Sequence, residues 1–290
     1  MNKVGIIGAG KVGSVLAIAL QKQGIDVCAV SGGRSESAEI LADRIGGLFC
    51  RDAERVAREA DILLIATPDR EIKNVVEVLI TSGKMRTGQI VFHVCGSQSA
   101  EILAGLKSFG VAIGSIHPLQ SFSSVEAGLK NLGGSYFAID GDEQALLKAR
   151  EFVEKLNGTC MYVPPESRAL YHAAACMASN YLTALLHSAA ILMETFGVDE
   201  TQAIKALSPL VQGTLTNIEA YGTLQALTGP VVRGDVGTIK QQLEKIDMKI
   251  PSQTQFYREL GKYTLDIAKQ CQTLSAEQIT DLNRCFSHLP

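Results

Sequence analysis

Four short stretches of the chain carry residue types that can do chemistry. Gly8-Ala9-Gly10-Lys11-Val12-Gly13 is a G-x-G-x-x-G turn, and His117-Pro118 puts an imidazole at the end of an apolar run. His172 and Asn180 share a polar stripe, and Thr228-Gly229-Pro230-Val231-Val232-Arg233-Gly234-Asp235 is a glycine-rich stretch with one arginine. The turn can offer backbone N–H groups to a phosphate. An imidazole titrates near neutrality, so His117 or His172 can donate a proton to a developing alkoxide. Asn180 can orient a substrate by hydrogen bonds. Arg233 either grips a substrate carboxylate as a charged fork or is a surface residue in a plain helix connection; the sequence favours neither.

These residues need elements to hold them. Lys3-Val4-Gly5-Ile6-Ile7 reads as a strand, and Ser14 to Gln23 as a helix with Val15, Leu16, Ala19 and Leu20 on one face. Strand, glycine turn and helix come in the order that a dinucleotide-binding site requires. Gly8 allows the tight turn, Gly10 lets the backbone approach a pyrophosphate, and Gly13 lets helix and strand pack closely. The next residues alternate strand and helix as far as Val163, with strands at 27–30, 61–66, 89–94, 112–116, 136–139 and 160–163 and a short one at 47–50. That alternation predicts a doubly wound, mostly parallel α/β sheet. Its ligands would bind outside the carboxyl ends of the strands, where Thr67-Pro68, Cys95-Gly96-Ser97 and His117-Pro118 fall. Thr67 and Pro68 would flank a nicotinamide ribose, and Cys95, Gly96 and His117 would border the substrate. His93 lies inside its strand and reads as a core histidine. Cys95 has no adjacent cation to activate it and reads as a small packing residue. No spacing demands a metal from His93, Cys95 and His117, and none is expected. Residues 119–134 read as a loop with at most one short helix.

Val163-Pro164-Pro165 marks the domain boundary, giving 1–163 and 164–290, and everything after it reads as helical. One helix would run from about Ser167 to Phe196. A second, capped by Asp199, would end at Ser208-Pro209, where another begins. Asp235 caps a further helix, Pro251 opens one, and Ser275 and Gln278 have capping-box spacing for the last. From Ala169 to Met193 there is no Lys, Arg, Asp or Glu, so burial is expected. Steps of three and four align His172, Cys176, Ser179, Asn180, Thr183 and His187. A membrane span would put two histidines and an asparagine in lipid, which rules against it. The stripe instead faces the cofactor cleft, or it faces a domain or subunit interface; for His187 the two are even.

The end of the second strand decides the cofactor. An NAD enzyme needs a carboxylate there for the ribose 2′-hydroxyl, and the chain has Ser31-Gly32-Gly33-Arg34-Ser35 instead. Ser31, Arg34 and Ser35 suit a 2′-phosphate, so NADP(H) is expected. The missing carboxylate also argues against an S-adenosylmethionine methyltransferase. A net charge of −3 gives no case for nucleic acid or an anionic membrane. Seven cysteines without C-x-x-C, and no room for a signal peptide before the first strand, suggest a cytoplasmic protein.

The chain resembles the 6-phosphogluconate-dehydrogenase-like superfamily, which includes pyrroline-5-carboxylate reductase, ketopantoate reductase and β-hydroxyacid dehydrogenases. His117-Pro118-Leu119-Gln120-Ser121-Phe122, Leu170-Tyr171-His172-Ala173-Ala174-Ala175 with Ser179-Asn180, and Leu227-Thr228-Gly229-Pro230 with Arg233-Gly234-Asp235 look like one branch of it. That branch joins a Rossmann-like NADP oxidoreductase domain to a helical C-terminal domain of unknown function. The resemblance implies a Rossmann domain followed by an all-α domain, with a homodimer formed through the helical part. It implies hydride transfer from NADPH to the carbonyl or imine of a small carboxylated substrate, such as the 2-oxo acid ketopantoate. Other relatives carry a proton-donating lysine four residues before the helix asparagine; here that position is Cys176. The donor role therefore falls to His117 or His172. A deazaflavin-linked NADP oxidoreductase and a non-catalytic NADP-binding redox sensor are the alternative readings.

Overall fold

A computed structural model describes residues 2–33 and 35–287 of the chain, with the Ser35 side chain set aside. They form two compact units, residues 1–179 and 180–290. In the first, eight strands make one sheet: β1 (Val4–Ile7), β2 (Val27–Ser31), β3 (Leu48–Phe49), β4 (Ile62–Ile65), β5 (Ile90–His93), β6 (Ala112–Pro118), β7 (Tyr136–Gly141) and β8 (Thr159–Tyr162). Their order is β3-β2-β1-β4-β5-β6-β7-β8. The first six are parallel; β7 runs antiparallel to β6, and β8 parallel to β7.

Helices cover both faces, which explains why the central strands are apolar runs and not alternating ones. Val4, Ile6, Ile62 and Leu64 pack on the side of α1 (Lys11–Lys22), α2 (Ser35–Ile45) and, farther along the sheet, α6 (Glu143–Lys155). Ile7, Leu63 and Ile65 point the other way, toward α3 (Ala53–Glu59), α4 (Ile72–Ser82) and a 3-10 stretch at Ala100–Phe109. All four residues of β4 are essentially inaccessible, and each such aliphatic side chain stabilises the fold by roughly 1.5–3 kcal/mol relative to exposure.

Register places the site. Ile7, Ile65, His93 and Ser115 lie side by side across four strands. Two residues farther along each strand come Ala9, Thr67, Cys95 and His117. The expected loop at 119–134 holds one helix, α5 (Val125–Asn131), capped by the Ser124 hydroxyl.

Helices start with the 3-10 turn Pro165–Ser167, where the two prolines placed them. The compact units divide farther on, because α7 (Arg168–Cys176) is tied to the sheet by the buried Arg168–Asp140 ion pair. A π-helical stretch, Met177–Tyr181, follows, and it interrupts what the sequence presents as one helix. The second unit comprises α8 (Leu182–Glu194), α9 (Glu200–Ala226), α10 (Val236–Lys249), α11 (Pro251–Gln270) and α12 (Ala276–Ser287). Its core gathers Ile239, Leu243, Leu265, Leu282 and Phe286. Gly261 is needed where α11 meets α12, since a Cβ there would lie 2.2 Å from the Phe286 ring.

Two expectations about the helices are corrected. Pro209 does not end a helix: α9 continues through it and breaks from helical geometry only at Gly222, with φ 77°. An exposed helix can lose one N–H donor to proline because water serves the freed carbonyl. Nor is the apolar run buried in the single chain. Leu170 is 76% exposed and Met177 and Tyr181 are each 64% exposed. The run Pro165–Glu194 is by length and composition apolar enough to cross a membrane.

Candidate active site

The glycine turn is shaped by exclusion. Gly8 has φ +113°, and a Cβ on it would sit 2.6 Å from the Ala66 carbonyl group. Its N–H donates to the Ser31 carbonyl (2.7 Å), and Ala66 N–H donates to the Ile7 carbonyl (2.7 Å), so β2, β1 and β4 leave the sheet together. A Cβ on Gly13 would fall 2.0 Å from the Gly8 carbonyl oxygen, which fixes helix against turn. At Gly10, by contrast, no atom lies within 4 Å of the Cβ position. No side chain caps α1 and its first turn holds no acidic residue, leaving its N–H groups for an anion. Thr67 Oγ1 is buried without a partner beside the turn. A turn open at Gly10, an uncapped helix and an orphaned hydroxyl together fit a dinucleotide.

A cavity of about 230 Å³ lies at the strand ends, lined among others by Val12, Thr67, Cys95, Gly96, His117 and His172. These are residues proposed from sequence alone; the parallel register brings Thr67, Cys95, Gly96 and His117 together, and α1 and α7 add Val12 and His172. Pro118 also lines it, whereas Pro68 is exposed at the start of the Asp69–Glu71 turn. Gly10 and Lys11 border a separate cavity of about 330 Å³ with Ser37, Leu41 and Arg44. Ser31 is 3% exposed at the end of β2. Arg34 and the Ser35 side chain lie outside the described residues. Asn180 is exposed in the π-helical stretch. Arg233 is exposed in the second unit, where its loop is held by a hydrogen bond from Gln278 Nε2 to the Arg233 carbonyl (3.4 Å). His187 is solvent-exposed, with Nδ1 3.3 Å from Glu200 Oε1. The stripe residues that share the cavity's unit are therefore His172, Cys176 and Ser179, of which His172 lines the cavity.

Gly96 is the hub of the cavity. A Cβ there would be 2.7 Å from His172 Cδ2 and 2.8 Å from His117 Nε2, so only glycine lets both imidazoles close on the backbone. His117 Nδ1 is 2.7 Å from the Tyr171 hydroxyl, and its ring meets those of Tyr171 and His172 edge-on at 5.6 and 6.2 Å. Burial first, then the positive fields of His172 and Arg168, push His117 down to about 4. Burial pushes the Tyr171 phenol up to about 12, against the opposing effect of Arg168. His93 is fully buried and also held down at about 4 by desolvation. Its Nδ1 accepts the Cys95 N–H (3.2 Å) and its Nε2 hydrogen-bonds the Ser99 carbonyl (3.0 Å). Both ring nitrogens are thus occupied in shaping the turn, and neither is free for a metal. Burial first, then the Asp69 contact, raises the Cys95 thiol, which disfavours the thiolate that a nucleophile needs.

Beneath this layer lies a group of residues that sequence reasoning missed. Arg168, 1% exposed, donates from Nε to Asp140 Oδ2 (3.1 Å) and from Nη2 to the Ser115 hydroxyl. Asp140 Oδ1 also accepts the Ala100 N–H at 3.1 Å. Arg168 Nη1 is buried and unpartnered. The available signal was spacing: Arg168, Tyr171 and His172 are three and four apart and share one helix face.

Residues 1–118 match the model of the Rossmann-like domain, and residues 135–264 match that of a domain of unknown function, DUF2520. The chain joins a Rossmann-like domain to a DUF2520 domain. The DUF2520 match begins just before β7 and ends within α11, so it takes in β7, α6 and β8 as well as the helices from α7 to α10 and most of α11. A protein of Bacteroides fragilis proposed to be an NADP oxidoreductase, BF3122, superposes with TM-score 0.76 at 20% identity, over 91% of this chain and 98% of that one. Protein TM1727 of Thermotoga maritima superposes with TM-score 0.71 at 26% identity, over 93% and 99%. The 1-pyrroline-5-carboxylate reductase of Streptococcus pyogenes shares the fold at TM-score 0.63 and 15% identity, over 94% and 99%. Glutamyl-tRNA reductase of Bacillus pumilus (strain SAFR-032) is 35% identical over 91 residues, 31% of this chain; the match spans a fifth of that curated relative's length.

Proposed function

We propose that this Rossmann–DUF2520 chain is an NADP(H)-dependent oxidoreductase, reducing the carbonyl or imine of a small carboxylated substrate, with 2-oxo acids such as ketopantoate as leading candidates. The observation that carries this reading is the cavity at the ends of β4, β5 and β6, where two imidazoles meet at Gly96 beside the glycine turn. Gly8, Gly10, Lys11, Val12 and Gly13 hold the pyrophosphate, Thr67 and Pro68 flank the nicotinamide ribose, and Ser31, Arg34 and Ser35 take the 2′-phosphate. The bound cofactor supplies the hydride. Cys95 and Gly96 shape the substrate side, and His117 or His172 provides the proton. Asn180 as the orienting group and Arg233 as the carboxylate clamp rest on the sequence and its resemblance alone, and both belong to the second unit. The names of the Bacteroides and Streptococcus proteins support the oxidoreductase reading. The exposed apolar residues Leu170, Met177 and Tyr181 support a homodimer in which a second copy covers them. Seven free cysteines suit a reducing cytoplasm.

The test is thermal shift with NADPH and NADH, followed by NADPH oxidation across a panel of 2-oxo acids and cyclic imines. NADPH raises the melting temperature more than NADH does, and one panel member is consumed. NADH binding more tightly overturns the cofactor assignment. Tight NADPH binding with every panel member untouched turns the reading toward a sensor, and oxidation by a deazaflavin instead turns it toward that acceptor.

A further inference from the structure

We propose that Tyr171 is the positioning residue that sets the proton on His117 and restores it during turnover. The inference rests on the oxidoreductase reading above. The phenol O–H is held against Nδ1 at 2.7 Å, so with the phenol donating, the neutral ring carries its own proton on Nε2. Nε2 is the atom that faces Gly96 at the cavity wall. Among the described residues, His172 Nδ1 meets the softer Cys176 sulfur, at 3.8 Å, and no oxygen acid. Of the two imidazoles at Gly96, His117 alone has, among the described residues, an oxygen acid within hydrogen-bond distance behind it.

As the substrate carbon accepts a hydride, its oxygen or nitrogen takes the Nε2 proton, so one N–H bond breaks and one O–H or N–H bond forms. Nδ1 then takes the phenol proton, leaving a neutral imidazole in the opposite tautomer and a tyrosinate. Water returns the proton to Tyr171 afterwards. The groups facing the pair are Arg168, His172 and Cys176 on α7, His93 at the end of β5, Cys95 after it, and Asp69. Arg168 is the fixed cation among them, buried with Nη1 unpartnered, and its field favours the tyrosinate. A cation that lowers the cost of a phenolate while disfavouring an imidazolium makes the neutral-ring relay the easier path.

The test needs no substrate for its first half. Histidine-ring nitrogen NMR on the full-length protein, with His117 assigned by loss of its signals in His117→Gln, reads the tautomer directly. The expected result is an Nε2–H ring in the wild type and a mixed-tautomer ring in Tyr171→Phe. A wild-type ring protonated on Nδ1, or a tautomer unchanged in Tyr171→Phe, overturns the proposal. The second half measures NADPH oxidation with ketopantoate and with 1-pyrroline-5-carboxylate. On the probe that is consumed, Tyr171→Phe lowers kcat about 10²-fold, leaves KM within twofold and changes the pH dependence of kcat; kcat within threefold of wild type overturns the relay. If neither probe is consumed although NADPH binds, the substrate reading has failed, and the tautomer result decides the placement of Tyr171 by itself.

Discussion

The glycine turn and the Tyr171–His117 cluster stand at the same edge of one sheet and are built from opposite materials. The turn works through backbone: Gly8, Gly10 and Gly13 remove side chains so that β1, β4 and α1 come close enough to present N–H groups. The cluster works through side chains collected from β6, α7 and the turn after β5, and it rests on an ion pair with both partners 1% exposed. A backbone site tolerates almost any change except added volume, whereas a buried polar site tolerates volume poorly and lost partners worse. The two halves should therefore fail in different ways.

The largest expected effect is at Arg168. Arg168→Met removes one half of the buried pair and leaves the Asp140 charge without its cation, the Ala100 N–H still donating to it, costing about 3–5 kcal/mol by denaturant unfolding. Adding Asp140→Leu to Arg168→Met should recover part of that loss, because the orphaned charge goes with it. Equal stability of the single variant and wild type would mean that the cluster does not rest on this pair.

Next comes pH. His93, held at about 4 in the fold against an ordinary value of 6.5, stays neutral where the unfolded chain takes up a proton. The unfolded state binds more protons between these values, so stability is fully present above pH 6.5 and falls as pH drops toward 4. The loss from His93 is on the order of 3 kcal/mol, and His117 acts in the same direction. His93→Gln should flatten the dependence in this window when unfolding free energy is followed from pH 7.5 to 4.

Paired glycine variants sharpen the contrast. Gly13→Ala puts a Cβ 2.0 Å from a carbonyl oxygen that cannot rotate away, so it should weaken NADPH binding and cost about 1–3 kcal/mol. Gly96→Ala meets two imidazoles at 2.7 and 2.8 Å, and rings can swing. It should keep NADPH affinity within a few-fold and lose turnover by displacing His117 Nε2. If titration shows both variants losing cofactor equally, the two regions are one site energetically.

The same contrast decides what could be read in advance. The turn was legible because its residues are consecutive and each glycine answers a local steric demand. The strand ends were legible because parallel register aligns Thr67, Cys95 and His117. Arg168, Asp140 and Tyr171 were not, since His117 and Tyr171 lie 54 residues apart and only the folded sheet joins them. The helix from Ala169 misled for a related reason. Its apolar composition predicts burial but does not say by which chain, and the single copy leaves Leu170 and Met177 exposed.

The smallest effect tests the local kind of signal in the second unit. Ser275 and Gln278 form the reciprocal capping box that their spacing predicted: Gln278 N–H donates to the Ser275 hydroxyl (3.2 Å), and Ser275 N–H donates to Gln278 Oε1 (2.9 Å). Such a pair needs no distant partner, so Ser275→Ala should cost about 1 kcal/mol and leave the His117 tautomer untouched. Gln278 does more than cap, because its Nε2 also donates to the Arg233 carbonyl and packs against Gly234. Gln278→Ala should therefore add faster hydrogen exchange across residues 229–235 to the same capping loss. Faster exchange there in Ser275→Ala as well would mean that the cap itself holds the loop, and that even this local motif owes its place to the structure around it.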